Sequence, residues 1–164
     1  MRLFIGTKLW IDSLEEPLEE LSEIGGIKPV EKENIHITYV FLGNVEDIEP
    51  HKKILEKYAG FGKFDVLLKG LGFFPSRSYI RVIWIGCYSD KLYKLGRSIA
   101  SNYGQDFTPH LTIGRVKNRV NLNKFIEKYE NREFGTITID NVCIYESILS
   151  PKGPTYIEKY RVDL

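Results

Sequence analysis

The sequence predicts an α+β protein built on antiparallel sheet. Strand-like runs rich in β-branched and aromatic residues alternate with helical patterns, but two of the runs, residues 64–73 and 79–88, follow each other directly. Residues 75–78 between them contain one proline and two serines, a composition typical of a tight connection. The two runs therefore indicate a β-hairpin, and the order of all the elements favours an antiparallel α+β fold.

The other elements follow in order along the chain. Residues 3–9 predict the first strand, and a helix that begins near Asp12 and Ser13 runs to about Ile24, where two glycines end it. Further strands are predicted at residues 34–42, 110–116, 133–147 and 155–162, and further helices at residues 47–58, 90–102 and 122–129. No linker or low-complexity segment divides this series.

At 164 residues the chain suits one compact domain, which we expect to span residues 1–164. Such a chain buries roughly two-thirds of the surface that its unfolded form exposes, so its core needs no disulfide or metal. Hydrophobic residues make up 43% and charged residues 27%, which excludes a disordered chain but neither an enzyme nor a binding protein. Because the net charge is only +1, any contact with a nucleic acid has to depend on local charges.

The cysteines and the N-terminus carry no special signal. Cys87 and Cys143 are far apart and belong to no Cys/His cluster, so we expect neither a zinc site nor a disulfide framework. Residues 1–6 enter a strand-like run without a signal peptide's apolar stretch, and no segment reaches the roughly 20 apolar residues of a membrane span. We therefore expect a cytoplasmic protein that does not bind a membrane, and we expect it to be a monomer.

Two of the three histidines open the same short pattern. His36 is followed by Thr38 and His110 by Thr112, whereas His51 lies in a polar stretch and is interpreted as a solvated helix residue. With seven threonines in the chain, two such hits among three histidines arise in roughly 0.5% of shuffled sequences. A single histidine in an apolar strand is more often a hydrogen-bonded core residue, but the repeated pair favours a functional interpretation.

Each pattern places an imidazole and a hydroxyl on one face of a strand, because residues two apart point to the same side. Cleavage of a phosphodiester by water needs a base for the nucleophile and an acid for the departing oxygen, and two histidines can supply both near neutral pH. Thr38 and Thr112 can donate hydrogen bonds to the non-bridging oxygens. No metal ion or cofactor is then required, and the symmetry of the pattern leaves the acid and base roles interchangeable.

Five stretches of the chain together are similar to one known family. They are residues 34–43, with Asn-Ile-His-Ile-Thr and Phe-Leu-Gly, residues 74–75, residues 81–84, residues 109–116 around the second histidine, and residues 145–154, which end in Ser-Pro-Lys-Gly-Pro. The chain resembles the RNA 2′,3′-cyclic phosphodiesterases, also called 2′-5′ RNA ligases, of the two-histidine phosphoesterase superfamily. The resemblance covers nearly the whole chain and includes both histidine motifs in order.

The resemblance implies two pseudo-symmetric lobes of antiparallel sheet, with helices on the outer faces and one motif each, around a central cleft. The 74 residues from His36 to His110 suit such a duplication. By the same resemblance, His36 is the proton donor to the leaving 3′ oxygen, and His110 is the proton acceptor that activates water. The implied product is a 2′-phosphate end, and reversible 2′-5′ ligation through the same groups implies no nucleotide cofactor.

The resemblance also implies two substrate contacts. Arg115 stands five residues after His110, where the family often carries an arginine that holds the phosphate, and Phe41 stands at the same offset after His36, where an aromatic ring can stack on a base. In a regular strand an odd offset points both side chains away from the histidines, so a bulge or the end of the strand is needed. Gly114 is a candidate for that bend.

Other functions stay open on the sequence alone. The expected partner is RNA with a 2′,3′-cyclic phosphate end, tRNA fragments included, but an enzyme for another cyclic nucleotide would carry the same histidines. A non-catalytic RNA-end-binding protein would have little need of an acid and base pair, since Arg or Lys holds phosphate better. A metal-dependent phosphoesterase lacks support, because the sequence shows no clustered Asp/His ligands.

Overall fold

The computed structural model describes all 164 residues, which form nine strands and four α-helices. The strands are β1 (Arg2–Lys8), β2 (Ile27–Pro29), β3 (His36–Asn44), β4 (Phe64–Pro75), β5 (Ile80–Tyr88), β6 (His110–Val116), β7 (Glu133–Ile139), β8 (Asn141–Ser150) and β9 (Gly153–Asp163). The helices are α1 (Glu15–Glu23), α2 (Glu49–Glu56), α3 (Asp90–Ser101) and α4 (Asn123–Tyr129). None of the four is long and apolar enough to cross a membrane.

The strands form two antiparallel sheets. The first sheet has the order β3-β1-β8-β9 and the second has the order β2-β6-β5-β4-β7, and we refer to them as the first and second lobes. The first lobe combines strands from both ends of the chain, because β1 lies between β3 and β8. The predicted α+β fold, with antiparallel sheets in two lobes, is confirmed.

The helix α3 shows how the sequence produces these elements. Ser89 caps its first turn, since the Ser89 hydroxyl accepts a hydrogen bond from the Leu92 amide at 3.1 Å. The buried residues Leu92, Leu95 and Ile99 recur every three or four positions, as on one face of a helix. This face packs against β3 and β4, while α1 packs against β2 and β6. The helices thereby cover one face of each histidine strand.

One predicted element was wrong in its extent. The alternating pattern over residues 133–147 is not one strand, because β7 and β8 meet at Asp140 and belong to different lobes. Alternation of apolar and polar residues shows which face of a strand is buried, but it contains no information about the sheet that the strand joins. The short β2 was not predicted, and it forms the edge of the second lobe beside β6.

Candidate active site

The first histidine strand, β3, contains a β-bulge. Gly6 of β1 is paired with Thr38, and the preceding Ile5 is paired with Val40, so Tyr39 is an extra residue in β3. The extra residue of a bulge interrupts the regular alternation of side chains. The bulge lies three residues after His36.

The second histidine strand has the same bulge at the same place. Trp84 of β5 is paired with Thr112, and the preceding Ile83 is paired with Gly114, so Ile113 is the extra residue in β6. Ile113 lies three residues after His110, as the extra residue of β3 does after its histidine. The two lobes therefore share an irregularity of the backbone as well as a sequence pattern.

The bulges explain how Phe41 and Arg115, at an odd offset of five residues, can share a strand face with the histidines. The third and fourth residues after each histidine are both buried, and the fifth is exposed: Phe41 on β3, at 65% exposure, and Arg115 on β6. Because each bulge resets the alternation, Phe41 and Arg115 lie on the same face of their strands as His36 and His110. The bulge that this placement requires is present in both strands.

Gly114 is not the source of the bend, contrary to expectation. Its φ angle is not positive, and the first lobe forms the same bulge with Val40 at the corresponding position. The glycine instead gives room to α1, since a Cβ atom added at Gly114 would lie 3.0 Å from the Cδ1 atom of Leu21. Gly114 therefore serves the packing of α1 on β6.

Hydrogen bonds fix the ring of His36 at both nitrogens. Its Nδ1 lies 2.6 Å from the carbonyl oxygen of Asn34, and its Nε2 lies 2.9 Å from the hydroxyl of Thr38. A carbonyl oxygen only accepts, so Nδ1 carries the proton, and in the neutral ring Nε2 accepts from the threonine. The 3-10 turn Lys32–Asn34 before β3 places this carbonyl.

The ring of His110 is fixed by a hydrogen bond at Nδ1 only. Its Nδ1 donates to the carbonyl oxygen of Thr108 at 2.6 Å, again two residues before the histidine. Neither its Nε2 nor the Thr112 hydroxyl has a hydrogen-bond partner within the protein. Both groups are thus free to bind a ligand.

Aromatic rings surround each histidine. The ring centroids of Phe4 and Tyr156 lie 4.9 and 5.0 Å from that of His36. Those of Phe74 and Trp84 lie 5.0 and 5.8 Å from the centroid of His110. Such surroundings limit the rotation of the imidazoles and remove water from them.

The surroundings of both histidines lower the pKa of the imidazole. The pKa of His36 is lowered from 6.5 to about 4, chiefly by burial and also by Lys8, His110 and Arg115, whereas the hydrogen bond to Asn34 opposes this change. Burial and Arg115 likewise lower the pKa of His110. Arg115 therefore acts on both rings, and the two histidine strands lie side by side. A bound anion would reverse this balance, because negative charge favours imidazolium.

The structure places all six predicted residues on matching faces of the two strands. His36, Thr38 and Phe41 lie on β3, and His110, Thr112 and Arg115 lie on β6. The ring of Phe41 lies 6.3 Å from that of Phe4. His51 lies elsewhere, hydrogen-bonded to the hydroxyl of Tyr103 at 2.8 Å.

Sequence reasoning missed Lys8, which is paired with His36 across the ladder. It has no motif to mark it, since a lysine at a strand end is usually solvated. Its position opposite His36 adds a second cation, beside Arg115, to the surroundings of this histidine.

A cavity of about 830 Å³ is lined by neither histidine motif. It lies between the β4–β5 turn at residues 77–81 and the segment 116–130 that leads into α4. No group of three or more His, Cys, Asp or Glu side chains in the structure is arranged to hold a metal ion.

A family comparison agrees with this geometry. The model of the LigT-like phosphoesterases matches residues 7–84 and 87–156, and each matched segment contains one histidine motif. A Methanocaldococcus jannaschii protein named RNA 2′,3′-cyclic phosphodiesterase is 41% identical over an alignment of 168 positions, which covers 95% of this chain and 96% of that protein. An Archaeoglobus fulgidus protein of the same name is 35% identical over an alignment of 171 positions, which covers 95% of this chain and 96% of that protein.

Solved structures show the same fold. The protein TT0787 of Thermus thermophilus superimposes with a TM-score of 0.82 at 22% identity, covering 100% of this chain and 98% of that one. LigT of E. coli in complex with 3′-AMP superimposes with a TM-score of 0.75 at 23% identity, covering 99% and 97%. With a family model that matches most of its length and relatives above 30% identity, the chain belongs to the LigT-like phosphoesterase family.

Proposed function

We propose that the protein hydrolyses 2′,3′-cyclic phosphate ends of RNA, such as tRNA fragments, to 2′-phosphate ends without a metal ion. One observation carries the proposal: two histidines stand on side-by-side strands of matching geometry, each with Nδ1 bonded to a carbonyl so that Nε2 serves the reaction. The names of the M. jannaschii and A. fulgidus relatives support the choice of substrate.

The chemistry requires one proton to be taken and one to be given. His110 accepts a proton at Nε2 from water as the water oxygen bonds to phosphorus. The bond between phosphorus and the 3′ oxygen breaks, and His36 donates its Nε2 proton to that oxygen. The products are a 2′-phosphate and a 3′-hydroxyl, and solvent then removes the proton from His110 and restores the one on His36. With an RNA 5′-hydroxyl in place of water, the same sequence of bond changes joins two RNAs through a 2′-5′ linkage, and its reverse cleaves that linkage back to a 2′,3′-cyclic phosphate and a 5′-hydroxyl.

The proton donor has to be charged when the substrate is bound. Without an anion, the pKa of His36 is about 4, so the ring is neutral near pH 7. The negative charge of the cyclic phosphate raises this pKa, and the carbonyl of Asn34 stabilises the imidazolium through Nδ1. In this proposal the substrate supplies the charge that makes His36 an acid.

The remaining side chains bind the phosphate and the base. Thr38 and Thr112 donate hydrogen bonds to the non-bridging oxygens, and the Thr112 hydroxyl is free to do so. Arg115 pairs with the phosphate through its planar fork. Phe41 stacks on the terminal base, since its ring is largely exposed.

The test is turnover of a short RNA that ends in a 2′,3′-cyclic phosphate, with excess chelator present. The wild type is expected to yield a 2′-phosphate end, and His36→Ala and His110→Ala are expected to lose roughly 10²-fold or more in rate, since each removes one proton-transfer partner. The control is His51→Ala, which changes the third histidine and should leave the rate unchanged.

Three results would contradict the proposal. They are an inactive wild type that still binds the RNA end, near-full activity in either site variant, and loss of activity with chelator. The first would indicate an RNA-end-binding protein, and the last a metal-dependent enzyme.

A further inference from the structure

The ends of β8 and β9 extend past the first sheet as a hairpin arm, residues 147–156. β8 leaves β1 after the pair Leu3 and Glu146, but it stays paired with β9 as far as Ser150 and Gly153. The arm is therefore paired only within itself and forms no ladder with β1.

The arm folds back over the strands that hold His36. Lys8, at the opposite end of β1 from Leu3, donates a hydrogen bond from Nζ to the carbonyl oxygen of Tyr156 at 3.1 Å. The ring of Tyr156 stands edge-on to that of His36, with an interplanar angle of 80°. The arm thus forms one wall of the His36 site.

Asn34 joins the arm to this histidine. Its side-chain Nδ2 donates to the carbonyl oxygen of Pro154 at 2.9 Å, while its own carbonyl oxygen accepts the Nδ1 proton of His36 at 2.6 Å. Asn34 is only 6% exposed and is, with Thr7, one of two buried polar residues in the protein. A buried amide costs free energy unless it is hydrogen-bonded, so its bond to the arm compensates for its burial.

The second lobe has one half of this arrangement. Thr108 lies two residues before His110, and its carbonyl holds Nδ1 as that of Asn34 does. The Thr108 side chain is exposed and forms no hydrogen bond. The rings that pack against His110 are those of Phe74 and Trp84, which belong to strands of the second sheet. The carbonyl contact is thus common to both lobes, and the side-chain bond to an arm belongs to the first lobe alone.

We propose that Asn34 is a positioning residue that holds the hairpin arm closed over His36 and thereby keeps this ring oriented and shielded from water. The arm covers a side of the His36 ring that the sheet leaves open. Asn34 contacts both, because its side chain bonds to the arm and its carbonyl oxygen bonds to the ring. The role of His36 as proton donor rests on the proposed function, but the connection between arm and ring does not.

Opening of the arm would change how His36 titrates. The titratable groups that act on His36 are Lys8 from β1 and His110 and Arg115 from β6, and the arm contributes the Tyr156 phenol. None of them is a carboxylate, and burial is the largest cause of the lowered pKa. Water admitted by an open arm should therefore raise the pKa of His36 from about 4 towards 6.5.

The experiment compares Asn34→Ala with Asn102→Ala, an asparagine whose amide bonds within and beside α3, remote from the arm. Trypsin cleavage after the exposed Lys152, at the tip of the arm, measures arm opening and is expected to become roughly 10-fold faster in Asn34→Ala. Histidine NMR titration should show a rise of about one pH unit for His36. The kcat for a cyclic mononucleotide should fall roughly 10-fold, because the ring loses its fixed orientation. Asn102→Ala should show none of these changes.

Unchanged cleavage at Lys152 and unchanged titration of His36 in folded Asn34→Ala would overturn the proposal. Should the alanine variant not fold, Asn34→Asp keeps the size of the side chain but replaces the donor by a carboxylate. Cleavage at Lys152 as slow as in the wild type would then overturn the proposal equally. Both readouts are independent of substrate, so a protein that shows them yet hydrolyses no cyclic phosphate refutes the proposed function and leaves the Asn34 connection standing.

Discussion

The two histidine strands have the same backbone but different surroundings. Each has a bulge three residues after its histidine and a carbonyl bond to Nδ1 from two residues before it. They differ in what covers the ring, since the arm packs on His36 and the sheet's own aromatic rings pack on His110. They differ also at the fifth residue, which is Phe41 in one and Arg115 in the other.

The backbone features that the two lobes share place the two histidines alike, whereas the side chains around each histidine differ. An acid and a base require unequal surroundings, and two identical sites would titrate alike. The carbonyl bonds, bulges and threonines are common to both lobes, whereas the arm and Lys8 act on His36 and not on His110. Variants of the residues that differ between the lobes therefore measure how far the two lobes differ in function.

The largest effect is expected at the fifth residue. Arg115→Ala should lower kcat/KM by roughly 10²-fold, because the guanidinium holds charge that develops on the phosphate. Phe41→Ala should raise KM about 10-fold or less with kcat nearly unchanged, because stacking on a base binds substrate and transition state alike. Steady-state kinetics on RNA with a cyclic end would measure both.

Matched variants sharpen this contrast. Arg115→Lys keeps the charge without the planar fork and should fall between Arg115→Ala and the wild type. Arg119→Ala removes an exposed arginine four residues farther along the chain and should have little effect. Equal losses for Arg115→Ala and Phe41→Ala, both in KM alone, would show that the two lobes contact substrate equivalently.

A second prediction concerns stability and pH. His36 has a pKa of about 4 in the folded protein and about 6.5 in the unfolded chain, so below pH 6.5 the unfolded chain binds a proton that the folded one refuses. The contribution of His36 to the free energy of unfolding should therefore be complete above pH 6.5. The free energy of unfolding should fall by up to roughly 3 kcal/mol as the pH drops to 4.

Denaturant unfolding of the wild type and of His36→Gln at pH 7 and pH 5 measures this effect. Between the two pH values the variant should lose less stability than the wild type. His110→Gln should change the dependence in the same direction, because burial lowers the pKa of His110 as well. Parallel pH curves for the wild type and His36→Gln would show that His36 is hydrated in the folded protein.

The sequence predicted most of the elements, and placed each histidine on one face with its threonine, because both depend on local pattern. Alternation of apolar residues marks buried strands, and a threonine two residues after a histidine shares its face. The resemblance added the two lobes and the expectation of substrate contacts at Arg115 and Phe41. The odd offset required a bulge or the end of a strand, and both strands contain a bulge.

Features that depend on contacts distant in sequence were not predicted. Tyr39 and Ile113 look like ordinary strand residues, and only the partner strands reveal them as bulges. Asn34 and Lys8 lie more than a hundred residues from the arm that they bind. The chain's change of sheet at Asp140 likewise depends on which strand lies nearby in space, for which the alternating pattern has no signal.

The smallest effect is expected where the lobes differ in packing alone. Val40 and Gly114 occupy the same position after the bulge, but Gly114 faces Leu21 of α1, and a Cβ there would meet the Cδ1 atom at 3.0 Å. Gly114→Val should therefore destabilise the protein by about 1–3 kcal/mol through overpacking, without changing the chemistry of the histidines.

A double-mutant cycle identifies the cause of that loss. Leu21→Ala alone removes buried methyl groups and should destabilise by roughly 2–4 kcal/mol, but in combination with Gly114→Val the cavity receives the new side chain. The double variant should be more stable than the sum of the two single losses predicts, by about 1 kcal/mol or more in thermal or denaturant unfolding. Additive losses would mean that valine disturbs the bulge itself. In that event the glycine would be required by the backbone of the second lobe, and the equivalence of the two bulges, which Val40 suggests, would fail.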